Sequence, residues 1–340
     1  ASSGILKIER AGLRGAILTD EAGTPRFPTR SGKSLLGGLE LTSLEVDALL
    51  NSALLTASRT RAAIRQPLDF DAEVTIFIVD TEGSPLGMVR SNDAPVFGID
   101  VALQKARTAA FFSSPDAAIS LDAARARNGV GEFSDYAGLA RAFFGREVFN
   151  GTIAFSNRAI GNIARPFFLD GIDGSAPGPF SLPFPGVLSG RTFSPFNTGL
   201  ELDLVFQRTV QPLGIPQNPP SAVPDSCTDT SVFRGRLRNG IQIFPGSVPL
   251  YRNGTLIGAI GISGDGVDQD DLVAFYSPSR LGLDAIGQNA LGDPVIGFNA
   301  PKDIRSDTVL GPLPNTRLRY VNCPEGPFRG SNEQRVCEGL

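Results

Sequence analysis

The chain contains no histidine. This absence excludes a Ser-His-Asp triad, imidazole-ligated zinc, a proximal histidine for haem and any imidazole acid or base working near neutral pH. General acid–base chemistry would fall to Asp, Glu, Lys, Tyr or Cys with shifted pKa values, and no pair of them stands at a diagnostic spacing. There is a single methionine; Met88 lies in an apolar, strand-like stretch and reads as core packing before it reads as an iron ligand. A formal charge of −4 with no basic cluster leaves no footprint for nucleic acid, and no apolar run is long enough to span a bilayer as a helix. Cysteine is scarce. Cys227, Cys323 and Cys337 sit in segments rich in Pro, Gly, Ser, Asp and Asn, with no CxxC or CxxH spacing for metal, so they read as loop staples. Cys323–Cys337 is the preferred pair because it closes a C-terminal loop with little apolar material of its own. Cys227 bonded to either remains open, as do a thiol linked to another chain and three reduced thiols in a cytosolic protein.

What is present is ordinary globular material, 41% hydrophobic over 340 residues, enough for one large core or two modest ones. The opening Ala1-Ser2-Ser3 resembles a chain trimmed after a small-residue cleavage site. With the cysteines it gives the expectation of a secreted or periplasmic protein.

Thr42–Arg65 has the apolar spacing of an amphipathic helix, with Leu44, Val46, Leu49, Leu50, Ala53, Leu54 and Ala57 on the buried side and Thr42 or Ser43 as cap. Val74–Val79 is a short β-branched run and reads as a buried strand, Asp80–Gly83 as a turn and Leu86–Arg90 as the returning strand. A helix follows to about Phe112, with Asp93 as its cap, Pro95 in its first turn, Ile99, Leu103, Ala106 and Ala110 facing the sheet and Lys105 on another side. Val248–Tyr251, Asn253-Gly254 and Thr255–Ile262 carry the strongest hairpin signal, since Asn-Gly suits the positive φ of a two-residue turn. The acidic run Asp268–Asp271 then favours a helix N-terminus, with Asp270 as a cap.

The two segments VTIFIVDTEGSPLGMVRSNDAPVFGIDVALQKARTAAFF (74–112) and FPGSVPLYRNGTLIGAIGISGDGVDQDDLVAF (244–275) together resemble one small domain of the GlcG/HbpS-like haem-binding family. The resemblance implies an α+β fold of two layers, helices covering an antiparallel sheet, and a tendency to form homo-oligomers. It divides the chain into an N-terminal extension (1–41), a split core (42–112 and 241–276), an insertion (113–240) and a loop-rich tail (277–340). Within the insertion, Pro115–Arg127, Ser134–Phe149, Gly151–Phe168 and Gly199–Gln207 carry element-like patterns. The Pro- and Phe-rich remainder reads as an ordered, irregular lid, with a flexible linker as the alternative over 209–230.

For function the resemblance implies a small planar or anionic ligand such as haem, held without strong catalysis. The candidate ligand-binding residues are Arg90, Lys105, Thr108 and Ser263, the two cations being suited to a propionate or another carboxylate. Solvated surface charge is the competing reading of both. Asp265, Asp268 and Asp270 form a candidate calcium site, although their spacing does not follow the twelve-residue loop ending in Glu. No catalytic residue is assigned. A self-assembling structural subunit is the alternative function, suited by the Phe- and Pro-rich insertion and the odd cysteine.

Overall fold

The structure is a computed structural model that describes residues 4–34, 39–66, 69–126, 134–168, 177–181, 199–205, 232–281 and 297–340. Its centre is a six-stranded antiparallel sheet built from β1 (Gly4–Arg10), β2 (Leu13–Thr19), β3 (Val74–Val79), β4 (Pro85–Ser91), β5 (Ser247–Arg252) and β6 (Thr255–Gly264). The strand order is β1-β2-β4-β3-β6-β5. The two hairpins of the split core therefore meet at β3 and β6, in register from Val74 opposite Gly264 to Val79 opposite Ala259. Neither hairpin could bury its apolar face alone, so each completes the other.

Every residue of β3 is buried, and the strand's alternation sends its side chains to two cores. Val74, Ile76 and Ile78 join Val89, Ile260 and Ile262 beneath α1 (Ser43–Ala57) and the helix that follows β6. Phe77 and Val79 join Met88 and Ala259 beneath α2 (Gly98–Phe112), through Ala102, Leu103, Ala106 and Ala110. The α+β class and the antiparallel sheet hold, and Met88 packs in the core. Helices lie on both faces, however, so the sheet is the middle of three layers where two are expected.

α1 opens with a reciprocal capping box, Thr42 Oγ1 accepting from the Glu45 amide and Glu45 Oε2 accepting from the Thr42 amide at 2.8 Å. It stops at Ala57, short of the expected Arg65: Ser58, Arg59 and Thr60 close a last turn on α1 carbonyls, and from Arg61 on the amides are taken by tertiary partners, Arg61 N–H donating to Pro327 O and Ala63 N–H to Asp265 O. Leu44 is a second correction. It lies on the side of the helix opposite Val46, Leu50 and Ala53, and is 80% exposed.

α2 likewise begins later than expected. Its N-cap is Phe97 with no side-chain capping bond, and Asp93 forms an ion pair with Arg65 at 2.8 Å instead of capping. The start at Gly98 follows from contact with the sheet, since a Cβ there would stand 2.6 Å from Ser263 O. Gly261 similarly lets α2 lie close on β6, where a Cβ would stand 2.1 Å from Ala102 O. In the β5–β6 hairpin Asn253 and Gly254 have φ of 51° and 74°, the left-handed pair that the Asn-Gly signal implies.

The described parts of the insertion include α3 (Ala117–Ala126), α4 (Tyr136–Phe144), α5 (Asn157–Ile163) and α6 (Gly199–Val205). Phe149, Phe155, Phe168, Phe180 and Phe233 form one buried cluster with Phe111 and Phe112 at the end of α2, so this material packs on the core. Arg236 is 1% exposed there, paired with Asp116 at 2.9 Å and lying over the Phe111 ring. The linker alternative over 209–230 and the partner of Cys227 fall outside the described residues.

α7 (Val267–Arg280) packs beside α1. The tail contributes Phe298, Ala300 and Tyr320 to the α1-side core. It also shields the edge of β5, where Tyr251 N–H donates to Phe298 O at 2.8 Å. Cys323 and Cys337 form the expected disulfide. Among the described residues no helix is long and apolar enough to cross a membrane.

Candidate functional site

Where α2, the end of β6 and the start of α7 converge, they enclose an open pocket of about 580 Å³. Its walls are apolar: Ile64, Phe97, Val101, Phe244 and Val267 line it. Phe97 and Ile64 remain 58% and 64% exposed, unusual for large apolar side chains that have no further cover. The polar lining comes from Lys105, Gln242, Ser263, Asp268, Gln269 and Asp270.

Lys105 and Asp270 form an ion pair at 2.8 Å with side chains 2% and 4% exposed, and the ammonium also donates to Ile262 O at 2.8 Å. The competing reading of Lys105 as a solvated surface charge is thus set aside. α2 is covered on a second side by Gln242 and Asn239, which bond to Thr108 and Gln104 and close over the helix. Asp270 does not cap α7, whose N-cap is Gly266 with no side-chain bond. It sits in the first turn, facing inward. Burial pushes its carboxyl up to about 6, against the downward pull of Lys105 and the Gly264 amide. Its Oδ1 is buried without a partner.

The neighbouring acids are engaged elsewhere. Arg158, from α5, binds Asp271 Oδ2 and Asp268 Oδ1, each at 2.5 Å. Asp271 also accepts from the amides of Gly246 at 2.7 Å and Asn322 at 2.9 Å. Burial raises the Asp271 carboxyl, opposed by Arg158, and the Arg158 guanidinium is desolvated yet raised by its two acids. Asp265 binds Arg65 and the Glu73 amide. The three residues of the candidate calcium site therefore answer to three different cations. Among the described residues no group of three or more His, Cys, Asp or Glu is arranged to hold a metal.

Of the four candidate ligand-binding residues, Lys105 and Ser263 line the pocket. Thr108 and Arg90 do not. Thr108 Oγ1 donates to Gln104 O and accepts from Gln242 N at 2.9 Å, which places Gln242 at the pocket wall. Arg90 is 4% exposed, its guanidinium donating to Thr75 Oγ1 at 3.3 Å and to Ala94 O, which holds the turn leading to Phe97. Desolvation lowers its pKa. Sequence reasoning missed Phe97, Phe244, Gln242 and Arg158. The aromatic pair carried a signal, each lying beside Gly or Pro outside any apolar repeat, whereas nothing local marks Arg158.

An antiparallel sheet assembled from two distant hairpins, covered by helices and carrying an apolar-walled pocket at one seam, defines an α+β domain with room for a small ligand. A family model described as "Haem degrading protein HbpS-like" matches residues 50–161 and 221–276, and the core of this chain is a domain of the HbpS-like family. The match runs beyond Phe112, through α3 and α4 into α5. No curated protein matches the chain. Among solved structures it is similar to the crystal structure of Klebsiella pneumoniae protein ORFY, at 20% identity over 60% of this chain and 70% of that one, with a TM-score of 0.27. It is also similar to the crystal structure of a PduOC:heme complex, at 18% identity over 67% and 84% of the two chains, with a TM-score of 0.29.

Proposed function

We propose that the HbpS-like core binds a small planar or anionic ligand, haem or a related tetrapyrrole, in the pocket between α2, β6 and α7, and acts as a binder more than as a catalyst. The observation that carries this reading is the combination of exposed apolar walls with a few convergent polar groups, in a volume within the ordinary range of small-molecule sites. The haem-related family description supports the ligand class.

The residues present fit a porphyrin in part. Phe97, Phe244, Ile64 and Val267 suit its flat apolar body, and Lys105 is the cation on the wall. None of the described lining residues is His, Cys, Met or Tyr, so among them iron finds no common axial ligand. Met88 is 2% exposed in the sheet core, and Cys323 and Cys337 are consumed by their disulfide. Haem supplies redox-active iron when bound; what this chain supplies is a surface that holds and orients the macrocycle. The ion-paired state of Lys105, Asp268 and Asp270 supports binding over acid–base catalysis.

A secreted or periplasmic location is part of the proposal and is supported by the disulfide. Titration with hemin, followed at the Soret band, tests the ligand class: saturation at one ligand per chain, weakened at least fivefold by Phe97→Ala, is the expected result. Absence of saturable binding sinks it. The exposed Val96, at 71%, beside Phe97 favours a second reading, a self-assembling subunit that covers the pocket mouth with another copy. Light scattering across a concentration series separates the two.

A further inference from the structure

We infer that the floor of this pocket is built for a neutral ligand edge that presents a hydrogen-bond acceptor beside a donor, the arrangement of a lactam or primary amide, and discriminates against a carboxylate. The inference rests on the pocket being a ligand site, and it takes the planar alternative of that reading over the anionic one.

The Lys105 ammonium has three N–H donors. Two are used, on Asp270 Oδ2 and Ile262 O, and no third acceptor is found among the described residues. On the same ion pair, Asp270 Oδ1 is buried and unpartnered. The pair thus carries one unspent donor next to one unspent acceptor, and both residues line the pocket. An acceptor shut away from water without a partner is costly, so a donor arriving along the Asp270 wall relieves it.

Charge decides against an anion. Lys105 is already neutralised by Asp270, and Arg158 by Asp268 and Asp271 together, while Arg65 faces Asp265 and Asp93. Among the described lining residues a ligand carboxylate would meet two acids and no unmatched cation, in a desolvated place where repulsion is weakly screened. A lactam edge brings a C=O for Lys105 and an N–H for Asp270 without adding charge. A flat ring bearing such an edge also suits Phe97, Val101 and Phe244 above it.

The test is calorimetric titration of the full chain at pH 7.5 with three flat probes of similar size: 2-quinolinone, its N-methyl derivative, and quinoline-2-carboxylate. The lactam should bind about tenfold or more tighter than the N-methyl compound, which lacks the donor, and than the carboxylate. A double variant, Lys105→Met with Asp270→Leu, removes both charges together and avoids a lone buried ion; it should lose this discrimination while still binding the aromatic body. Tightest binding by the carboxylate, or equal binding by lactam and N-methyl compound, overturns the inference. If none of the three binds while hemin titrates the protein, the inference falls and the tetrapyrrole reading stands. If hemin fails as well, both fall.

Discussion

Asp270 and Asp271 are neighbours on one helix and equally deep, yet they live in opposite electrostatic conditions. Asp271 is 0% exposed and fully answered, by Arg158 on one oxygen and by the Gly246 and Asn322 amides across both. Asp270 keeps one oxygen without a partner, and burial holds its carboxyl at about 6 in spite of Lys105. The helical step between them turns Asp271 toward the seam of insertion, tail and sheet, and Asp270 toward the pocket. A buried acid that is completely satisfied fixes architecture. One that is half satisfied is available to a ligand and can discharge by taking a proton.

The harshest way to probe this contrast is Arg158→Met. Asp271 would be left buried with no cation, and a loss of about 3–5 kcal/mol is expected in urea unfolding monitored by circular dichroism. A loss below about 1 kcal/mol would mean that the two amides alone carry the charge. Removing the disulfide with Cys323→Ser and Cys337→Ser comes next, because Cys323 follows Asn322, whose amide serves Asp271. Releasing that closed loop should cost about 3 kcal/mol, seen as a lower midpoint, and should render the amides of Arg61, which donates to Pro327 O, and Asn322 faster to exchange.

Lys105→Met attacks the other acid and should cost less, about 1–3 kcal/mol at pH 7, since Asp270 can become neutral. The sign of its pH dependence follows from a folded carboxyl raised above its ordinary value of 3.8. Between pH 4 and about 6 the folded protein binds more protons at Asp270 than the unfolded one, so this group's contribution to stability falls as pH rises through that window. Without Lys105 the carboxyl rises further, and the falling limb should extend above pH 6. A midpoint independent of pH from 5 to 8 in the variant would show that Asp270 stays charged. The smallest effect belongs to Asp268→Asn: this acid is 37% exposed and shares Arg158 with a better-placed partner, so its loss should stay below about 1 kcal/mol.

The same contrast shows where reading the sequence succeeds. Asn253-Gly254 in its turn, Thr42, one of the two cap candidates, at the start of α1 and the buried strand Val74–Val79 are local devices, and each is realised. The pairing of the two hairpins and the Cys323–Cys337 bridge were legible as well. Lys105, Arg158 and Arg236 were not legible in the same way, because their partners lie 165, 113 and 120 residues away. A helical wheel places a charge off the apolar stripe and reports it as solvated; it has no knowledge of a second layer arriving from the insertion. Leu44 fails for the reverse reason, an apolar residue in the right segment on the wrong side of its helix. At the site, Lys105 and Ser263 were found through the resemblance, whereas Phe97 and Phe244 belong to no repeat and reveal themselves only by exposure beside a cavity.

The register that sets Val74 opposite Gly264 also governs how the chain comes into being. During synthesis the β3–β4 hairpin emerges early, but the strand that seals the other side of β3 is made only after the whole insertion. Until then a run of six residues, VTIFIV, destined for full burial, presents an unpaired edge. Closing the intervening loop costs little more than closing a shorter one, since that entropy grows only with the logarithm of length, but long-range antiparallel pairing is slow. The interval is therefore a window for aggregation. A chain cut before Phe244 would never leave it, and refolding from denaturant should yield more native protein the more dilute the solution.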